Sequence, residues 1–426
     1  MRRTAIVLIP VALLLWLAGS LLLDQRHARL NASLIHAVNN RDALGVDRLL
    51  AQGADPNTRD WKTYYPGGEM PLRLPWYEKY LAKIMHRQPR ETYPYSYVGP
   101  TVLMIAAHHG DTTIVRSLLN DGADMTKLGG EIHSDYANRL LSFPLKEAIG
   151  CKDHFTALLL IDRGSSKTNN LRDEFGWTPL MLTSNLELVN ALIDHGADVN
   201  AADSEGSTAL CHAALLGDSA LACLLLNRGA TINGHKGVQT ALKYGRPLTY
   251  AVVGSNSNLV HLFLARGADV NGHGTDVTGH GADGQTALIA ACIYRKMNNA
   301  KLLLARGEDV NSHDLNGDTA LLATSNMTYD NSLQSIMNDI WFLNLLLSHG
   351  AEVNTQNNAG QTALMRVSYD RPWMRDLNFK GEMTRTQWKA ERRAMQKLLI
   401  QHGANTLLKD KRGKTAADYE NEVQPD

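Results

Sequence analysis

Residues Gly206 to Asn233 read GSTALCHAALLGDSALACLLLNRGATIN and contain the clearest fold signal in the sequence. A short apolar helical pattern precedes Gly217, and a second pattern follows it with leucines at i, i+3 and i+4 (Leu221, Leu224 and Leu225). Each helix would have about eight residues, which is too short to be stable alone in water. The stretch is therefore predicted to be one module that packs against copies of itself.

Copies of this module occur along most of the chain. They share a Thr-Pro or Thr-Ala start, small alanines, a turn, a Leu-Leu pair and a closing Gly-Ala-Asp-x-Asn. The pattern resembles the ankyrin repeat. Repeats are predicted near residues 31–57, 101–126, 143–168, 178–200, 208–233, 247–271, 286–311, 319–354 and 362–407, with a partial cap at 413–420.

The resemblance implies an all-α fold, an ankyrin-repeat solenoid of about nine helix-turn-helix repeats joined by β-turn fingers, over residues 31–420. Two local features agree with it. Thr208 and Thr286 stand where a threonine would cap the first helix of a repeat. Gly229 stands where a glycine would end the second helix in the left-handed conformation.

Charge and cysteine content exclude several kinds of partner. Lysine plus arginine equals aspartate plus glutamate, at 43 each, so no positive field favours nucleic acid, and none is expected as a partner. The four cysteines lack zinc-binding spacing, and His108-His109 lies at an ordinary turn between helices. We expect no metal and no cofactor. Pairing of Cys211 with Cys223 stays open, since spacing alone does not decide it.

The N-terminus has the features of a membrane segment. A basic start at 1–4 precedes an apolar run at 5–23 that is long enough to cross a bilayer. We predict a transmembrane signal-anchor helix at 5–23 in the inner (cell) membrane, with 1–4 in the cytoplasm and the repeats on the periplasmic side of a bacterial cell. The alternative is a cleaved signal peptide ending near Ser20, which would give a soluble periplasmic or secreted protein.

A long insertion at 58–98 interrupts the first finger and is rich in Tyr and Trp. Disordered segments contain few aromatic residues, so we expect it to be ordered. It would either fold back and cap the first repeat or contribute to partner binding, and the two roles are compatible. Polar residues of two later fingers complete the predicted binding surface. The candidate residues are Trp61, Tyr64, Tyr65, Trp76, Tyr77, Tyr93, Tyr95, Tyr97, Asp203, Glu205, Asp314 and Asn316.

No catalytic motif stands in a usable context, so the protein is predicted not to be an enzyme. The family resemblance implies a scaffold that binds another protein through its concave finger face. Bacterial ankyrin proteins with this layout look like periplasmic partners of enzymes, including immunity proteins that neutralise a toxin. Two alternatives stay open: an enzyme with a pocket between insertion 58–98 and the repeats, and a membrane scaffold that faces the cytoplasm.

Overall fold

The computed structural model describes most of the chain as paired helices joined by loops. The described residues are 23–60, 99–130, 141–233, 246–254, 256–272, 284–326, 333–369 and 385–421. The chain divides into two compact units, unit 1 (Met1–Asp198) and unit 2 (Val199–Asp426). Each unit is built from the same two-helix module, as the sequence predicts.

Unit 1 contains eight described α-helices, one 3-10 helix and one short strand pair. Strands β1 (Gly129–Gly130) and β2 (Leu141–Ser142) pair antiparallel, with Gly129 opposite Ser142. The helices are α1 (23–39), α2 (Ala43–Ala51), α3 (Val102–His108), α4 (Thr112–Asn120), α5 (Pro144–Gly150), α6 (His154–Arg163), α7 (Ser166–Asn169), the 3-10 helix (Pro179–Met181) and α8 (Leu186–Asp194). The strand pair is too short to change the all-helical class of the described residues.

Unit 2 is entirely helical among its described residues, apart from isolated bridges in its loops. Its first helices pack on one another from repeat to repeat, as α9 does on α11 and α11 on α13. The helices are α9 (Ala209–Leu216), α10 (Ser219–Asn227), α11 (Pro247–Val253), α12 (Ser257–Ala265), α13 (Ala287–Ile293), α14 (Met297–Ala305), α15 (Ala320–Thr324), α16 (Leu333–Ser348), α17 (Ala363–Ser368), α18 (Arg385–Gln401) and α19 (Ala416–Asn421).

Helix starts are fixed by side-chain caps, though not at every predicted threonine. Thr286 Oγ1 accepts a hydrogen bond from the Ile289 N–H at 3.3 Å and so caps α13. Thr208 stands at the N-cap of α9 but makes no such bond, and its hydroxyl donates to Cys211 Sγ at 3.6 Å. The predicted N-cap position is therefore confirmed for both threonines, with a side-chain capping bond at Thr286 and none at Thr208. Most second helices with a described N-cap begin at an aspartate or asparagine, for example Asp218, which caps α10, whereas α14 begins after Lys296 without a side-chain cap.

The core is formed by small and aliphatic side chains at the helix contacts. Ala213 and Ala214 are fully buried on α9, where their size lets α11 approach closely. On α10, Leu221 and Leu225 are buried whereas Leu224 is only half-buried. The apolar face of α10 is thus centred on Leu221 and Leu225, slightly rotated from the face that the i, i+3, i+4 pattern predicts.

Neighbouring repeats are also joined by an asparagine that follows the closing glycine by four residues. Asn200 Oδ1 accepts from the Thr231 N–H at 2.7 Å, and its amide donates to the Gly229 carbonyl at 3.0 Å. The same pair of bonds recurs at Asn57, Asn233, Asn311 and Asn354. These asparagine bridges give a physical reason for the Asn at the end of the repeat pattern.

The predicted membrane segment lies almost entirely outside the part of the chain that the structure describes. Segment 5–23 lies outside the described residues except for Leu23, where the described part of α1 begins. None of the helices in the described ranges is both long and apolar enough to cross a membrane. The anchor therefore stays a prediction from the sequence.

Candidate partner-binding fingers

The loops that join successive repeats are here called fingers, and five of the described ones are each held in shape by one side chain. In the finger 203–207, Asp203 Oδ1 accepts the N–H groups of Glu205 at 2.9 Å and Ser207 at 2.8 Å. Gly206 lies between them with φ of 89°, a conformation that glycine adopts without strain. We call this arrangement a braced finger. The same brace is made by Asp173, Asp314, Asn357 and Asp410.

The brace changes the interpretation of two predicted contact residues. The Asp203 side chain is 4% exposed and Asp314 is 5% exposed, since both carboxylates turn inward to their own loop. Burial raises the pKa of Asp314 above its ordinary value. Burial acts in the same direction on Asp203, but the His212 ring at 3.7 Å and the two loop N–H groups outweigh it and lower its pKa. Both residues shape the finger, and neither is presented on its surface.

The other two predicted finger residues are accessible. Glu205 is half-buried and Asn316 is exposed, and both follow the brace residue by two positions. The structure therefore separates each predicted pair into an inward brace and an outward side chain. That these two outward side chains contact a partner stays a prediction.

The aromatic insertion can be followed only at its two ends. Trp61, Tyr64, Tyr65, Trp76, Tyr77, Tyr93, Tyr95 and Tyr97 lie outside the described residues. The flanking residues pair with each other: the Asp60 N–H donates to the Pro100 carbonyl at 3.0 Å, and the Val102 N–H donates to the Thr58 carbonyl at 3.0 Å. The residues that flank the insertion are thus hydrogen-bonded neighbours.

Unit 1 presents an aromatic finger that sequence reasoning missed. In the braced finger 173–177, Phe175 is 49% exposed and its ring lies 6.2 Å from that of half-buried Trp177. Asp173 braces the loop and also pairs with Lys146 at 3.1 Å. Aligning the fingers on their Asp-x-x-Gly pattern would have found this pair, because the other braced fingers carry no aromatic residue at these two positions.

Three fingers of unit 2 lie edge to edge and form what we call the finger strip: 314–318, 357–361 and 410–414. The Asn358 N–H donates to the Asn316 carbonyl at 2.8 Å, and the Lys411 N–H donates to the Ala359 carbonyl at 3.0 Å. Each bond joins the second residue of one finger to the third residue of the finger before it. The strip is therefore a regular, hydrogen-bonded surface.

One cluster in unit 1 has the residue types of a nucleophilic site but not its geometry. His108 Nδ1 lies 2.9 Å from Glu147 Oε2 and 3.1 Å from Cys151 Sγ. Both partners compete for the same ring nitrogen, whereas a base relay needs one partner on each nitrogen. Burial, with the nearby Glu147 and Asp153 carboxylates, raises the pKa of Cys151. A raised pKa disfavours the reactive thiolate.

The ranges that the structure covers contain neither an assembled metal site nor a disulfide bond. No three His, Cys, Asp or Glu side chains there are arranged to hold an ion. Burial and the nearby Arg41 charge lower the pKa of His109. Cys211 and Cys223 are free thiols, and burial raises the pKa of Cys211 to about 11.

Stacked two-helix modules with braced fingers define a helical-repeat protein. Comparison with protein families gives the particular class. A model of ankyrin repeats in three copies matches residues 145–236 and 248–339, and a model of the single ankyrin repeat matches residues 99–129. Together these matches cover about half of the chain, which therefore belongs to the ankyrin repeat family. The family predicted from the repeat pattern is confirmed.

A relative among characterised proteins supports the same assignment. Inversin of the dog (Canis lupus familiaris) is 31% identical over 169 residues, which are 38% of this chain and 14% of inversin. The chain thus spans a small part of inversin's length. Ankyrin repeats indicate a protein-protein interaction module, and proteins built from them are typically non-catalytic scaffolds.

Proposed function

We propose that this protein binds a partner protein through its finger face and that the aromatic finger 173–177 contributes most of the affinity. The observation that supports this is the pairing of exposed Phe175 with half-buried Trp177 on a loop that is already braced. Aromatic residues dominate binding hot spots because they bury much apolar area. A preformed loop also loses little conformational entropy when the partner binds.

Replacing both Phe175 and Trp177 by Ala should weaken partner binding by about 2 kcal/mol, roughly thirtyfold in Kd. The partner is first captured from lysate with the full chain and identified. Its affinity is then measured with purified proteins by calorimetry. The stability of the fold should change little, because the Asp173 brace uses backbone N–H groups that remain.

The matched control is Phe155→Ala. Phe155 is 79% exposed but lies on α6, away from the fingers. It tests whether the loss of any exposed aromatic ring weakens binding. Equal affinities for the Phe155 variant and the finger variant would rule out the aromatic finger as the main contact, and the finger residues Glu205 and Asn316 would be substituted next.

We further propose that the repeats are exported, remain anchored by residues 5–23 and neutralise an effector enzyme or toxin. This rests on the sequence layout: a basic start and an apolar run precede the repeats. Alkaline phosphatase fused to the C-terminus in a bacterial host should be active, because this reporter folds only after export. An inactive fusion, with an active cytoplasmic reporter at the same position, would place the repeats in the cytoplasm instead.

A further inference from the structure

The finger strip ends in a finger that is strongly basic. Residues 409–414 read KDKRGK, whereas the two fingers before it, 314–318 and 357–361, read DLNGD and NNAGQ. The chain as a whole has no net charge, so this concentration of positive charge is local. Finger 410–414 therefore differs in chemistry from its neighbours while it shares their backbone.

The basic finger is rigidly built. Asp410 Oδ1 accepts the N–H groups of Arg412 at 2.9 Å and Lys414 at 2.8 Å, and its Oδ2 accepts the Tyr419 hydroxyl at 2.6 Å. The Gln356 amide donates to the Lys409 carbonyl at 2.9 Å, which holds the base of the finger. The cationic side chains are thus presented on a backbone that is already ordered.

The outer edge of this finger is open in the part of the chain that the structure covers. Within the strip, the third residue of a finger offers its carbonyl to the second N–H of the next finger. Arg412 is the third residue of finger 410–414, so its carbonyl occupies this position at the end of the strip. A Cβ at Gly413 would meet no heavy atom within 4 Å, whereas one at Gly360 would lie 2.8 Å from Lys411 N.

The positive charge on this edge is not neutralised by the described residues. Lys409, Lys411 and Arg412 are exposed, and none forms an ion pair with a described carboxylate. The Asp410 carboxylate is buried and committed to the brace. The exposed Asp418 carboxylate lies within electrostatic range of Lys409 but is hydrogen-bonded to Thr415. A partner with negative charge would therefore find cations that are not held in an ion pair with a described carboxylate.

We propose that the open edge of finger 410–414 binds an acidic turn segment of a partner protein, which adds to the strip as a further finger. The segment donates one main-chain N–H to the Arg412 carbonyl, and its carboxylates lie against Lys411 and Arg412. Addition of a backbone segment to an exposed hydrogen-bonding edge is an established mode of peptide recognition. The inference rests on the proposed protein-binding function and assigns it a second contact.

An acidic protein segment fits this edge better than a nucleic acid does. Nucleic-acid binding draws on many phosphate contacts, typically about six to ten. The edge offers three exposed cations, Lys409, Lys411 and Arg412, on a chain without net charge. Its main-chain carbonyl also requires a donor, which a peptide backbone supplies and a phosphate does not.

The test uses the full chain and two fluorescein-labelled peptides, Asp-Glu-Asp-Gly-Glu and its neutral analogue Asn-Gln-Asn-Gly-Gln. Fluorescence anisotropy should show the acidic peptide binding at least about tenfold more tightly than the neutral one. Methylating the N–H of the second peptide residue should weaken binding several-fold, because the Arg412 carbonyl then loses its donor. Charge attraction alone would leave the methylated peptide unaffected, and that result would overturn the proposed edge contact.

Protein variants complete the test. Lys411→Glu with Arg412→Glu should weaken binding of the acidic peptide at least about tenfold. If that variant folds poorly, the milder Lys411→Gln with Arg412→Gln should also weaken binding of the peptide. The matched control is Lys389→Glu with Arg393→Glu, exposed cations on α18, which should bind the peptide as the parent does. Equal losses in both variant pairs, or tighter binding of duplex DNA or phosphatidylglycerol vesicles than of the peptide, would overturn the proposal.

A negative result for the acidic-peptide site can be distinguished from a negative result for the proposed function. The Phe175→Ala, Trp177→Ala variant should bind the acidic peptide with unchanged affinity, because the aromatic finger lies in unit 1 and the basic finger in unit 2. Loss of peptide binding in that variant would contradict an independent acidic-peptide site. Absence of peptide binding to any form would remove this inference and leave partner binding by the aromatic finger as it stands.

Discussion

Glu308→Gln should stabilise the protein by roughly 4 kcal/mol more at pH 8 than at pH 5, relative to the parent chain. Glu308 occupies the position after the closing glycine, where the repeats on either side have Ala268 and Ala351. The side chain is buried, with 5% of its surface exposed. The substitution removes a titrating group and keeps an acceptor of similar size.

The surroundings of Glu308 explain the size of the effect. Its Oε1 accepts from the Leu288 N–H at 2.7 Å, while Oε2 has no hydrogen-bond partner among the described residues. Burial raises the pKa of this carboxyl from 4.5 to about 8, and the charges of Asp309 and Asp269 act in the same direction. The Leu288 N–H and Thr286 favour the ionised form but do not balance the burial.

The direction of the pH effect follows from the raised pKa. The folded protein retains a proton that the unfolded chain loses above pH 4.5, so this contribution to stability is fully present below that pH. It is lost as the pH rises through the folded value of about 8. Urea unfolding of both chains at pH 5 and pH 8 measures the difference.

The control for Glu308 is Glu352→Gln, which removes one negative charge from an exposed position in the next repeat. It should change the stability by less than about 0.5 kcal/mol at either pH. The burial argument for Glu308 would be refuted by a Gln variant that gains no more stability at pH 8 than at pH 5.

Gly360→Ala should destabilise the protein by about 3 kcal/mol, against about 1 kcal/mol for Gly413→Ala. The two glycines hold the same place in consecutive braced fingers, and both have φ of 78°. An alanine is strained in this conformation at either site. Only at Gly360 would its Cβ also meet the next finger, 2.8 Å from Lys411 N and 3.1 Å from Asp410 Cα.

The difference between the two glycine variants isolates the contact between fingers. Both proteins are unfolded in urea at one pH, and the free energies of unfolding are compared with that of the parent chain. The neighbour at Gly360 is backbone, which cannot rotate away as a flexible side chain could. Equal losses at the two sites would show that fingers 357–361 and 410–414 do not approach as closely as described.

The repeat architecture could be predicted from the sequence because it depends on local spacing. Helical apolar patterns, turn glycines and the Leu-Leu pairs recur at fixed offsets, and each has one structural solution. The asparagine bridges show why even the last residue of the pattern recurs. The asparagine at 354, for example, reaches the N–H of Asn405, which is distant in sequence but adjacent in the next repeat.

The orientation of the finger side chains could not be predicted from the sequence, for a physical reason. Asp203 and Asp314 are polar residues in fingers, so sequence reasoning assigns them to the surface, yet their carboxylates are used by their own backbone. Composition does not distinguish an aspartate that shapes a loop from one that faces a partner. Phe175 and Trp177 give a weaker compositional signal than the insertion at 58–98, which is rich in Tyr and Trp.

The braces have a further consequence for how this protein can acquire a specificity. Because one carboxylate or amide fixes the loop backbone, the brace does not depend on which side chains stand between the brace residue and its glycine. The chain uses this freedom widely: the intervening pairs are Glu174-Phe175, Ser204-Glu205, Leu315-Asn316, Asn358-Ala359 and Lys411-Arg412. The same loop backbone thus carries aromatic, acidic, neutral or basic side chains. Exchanging these two residues can therefore change the partner that is bound while the repeat scaffold stays the same.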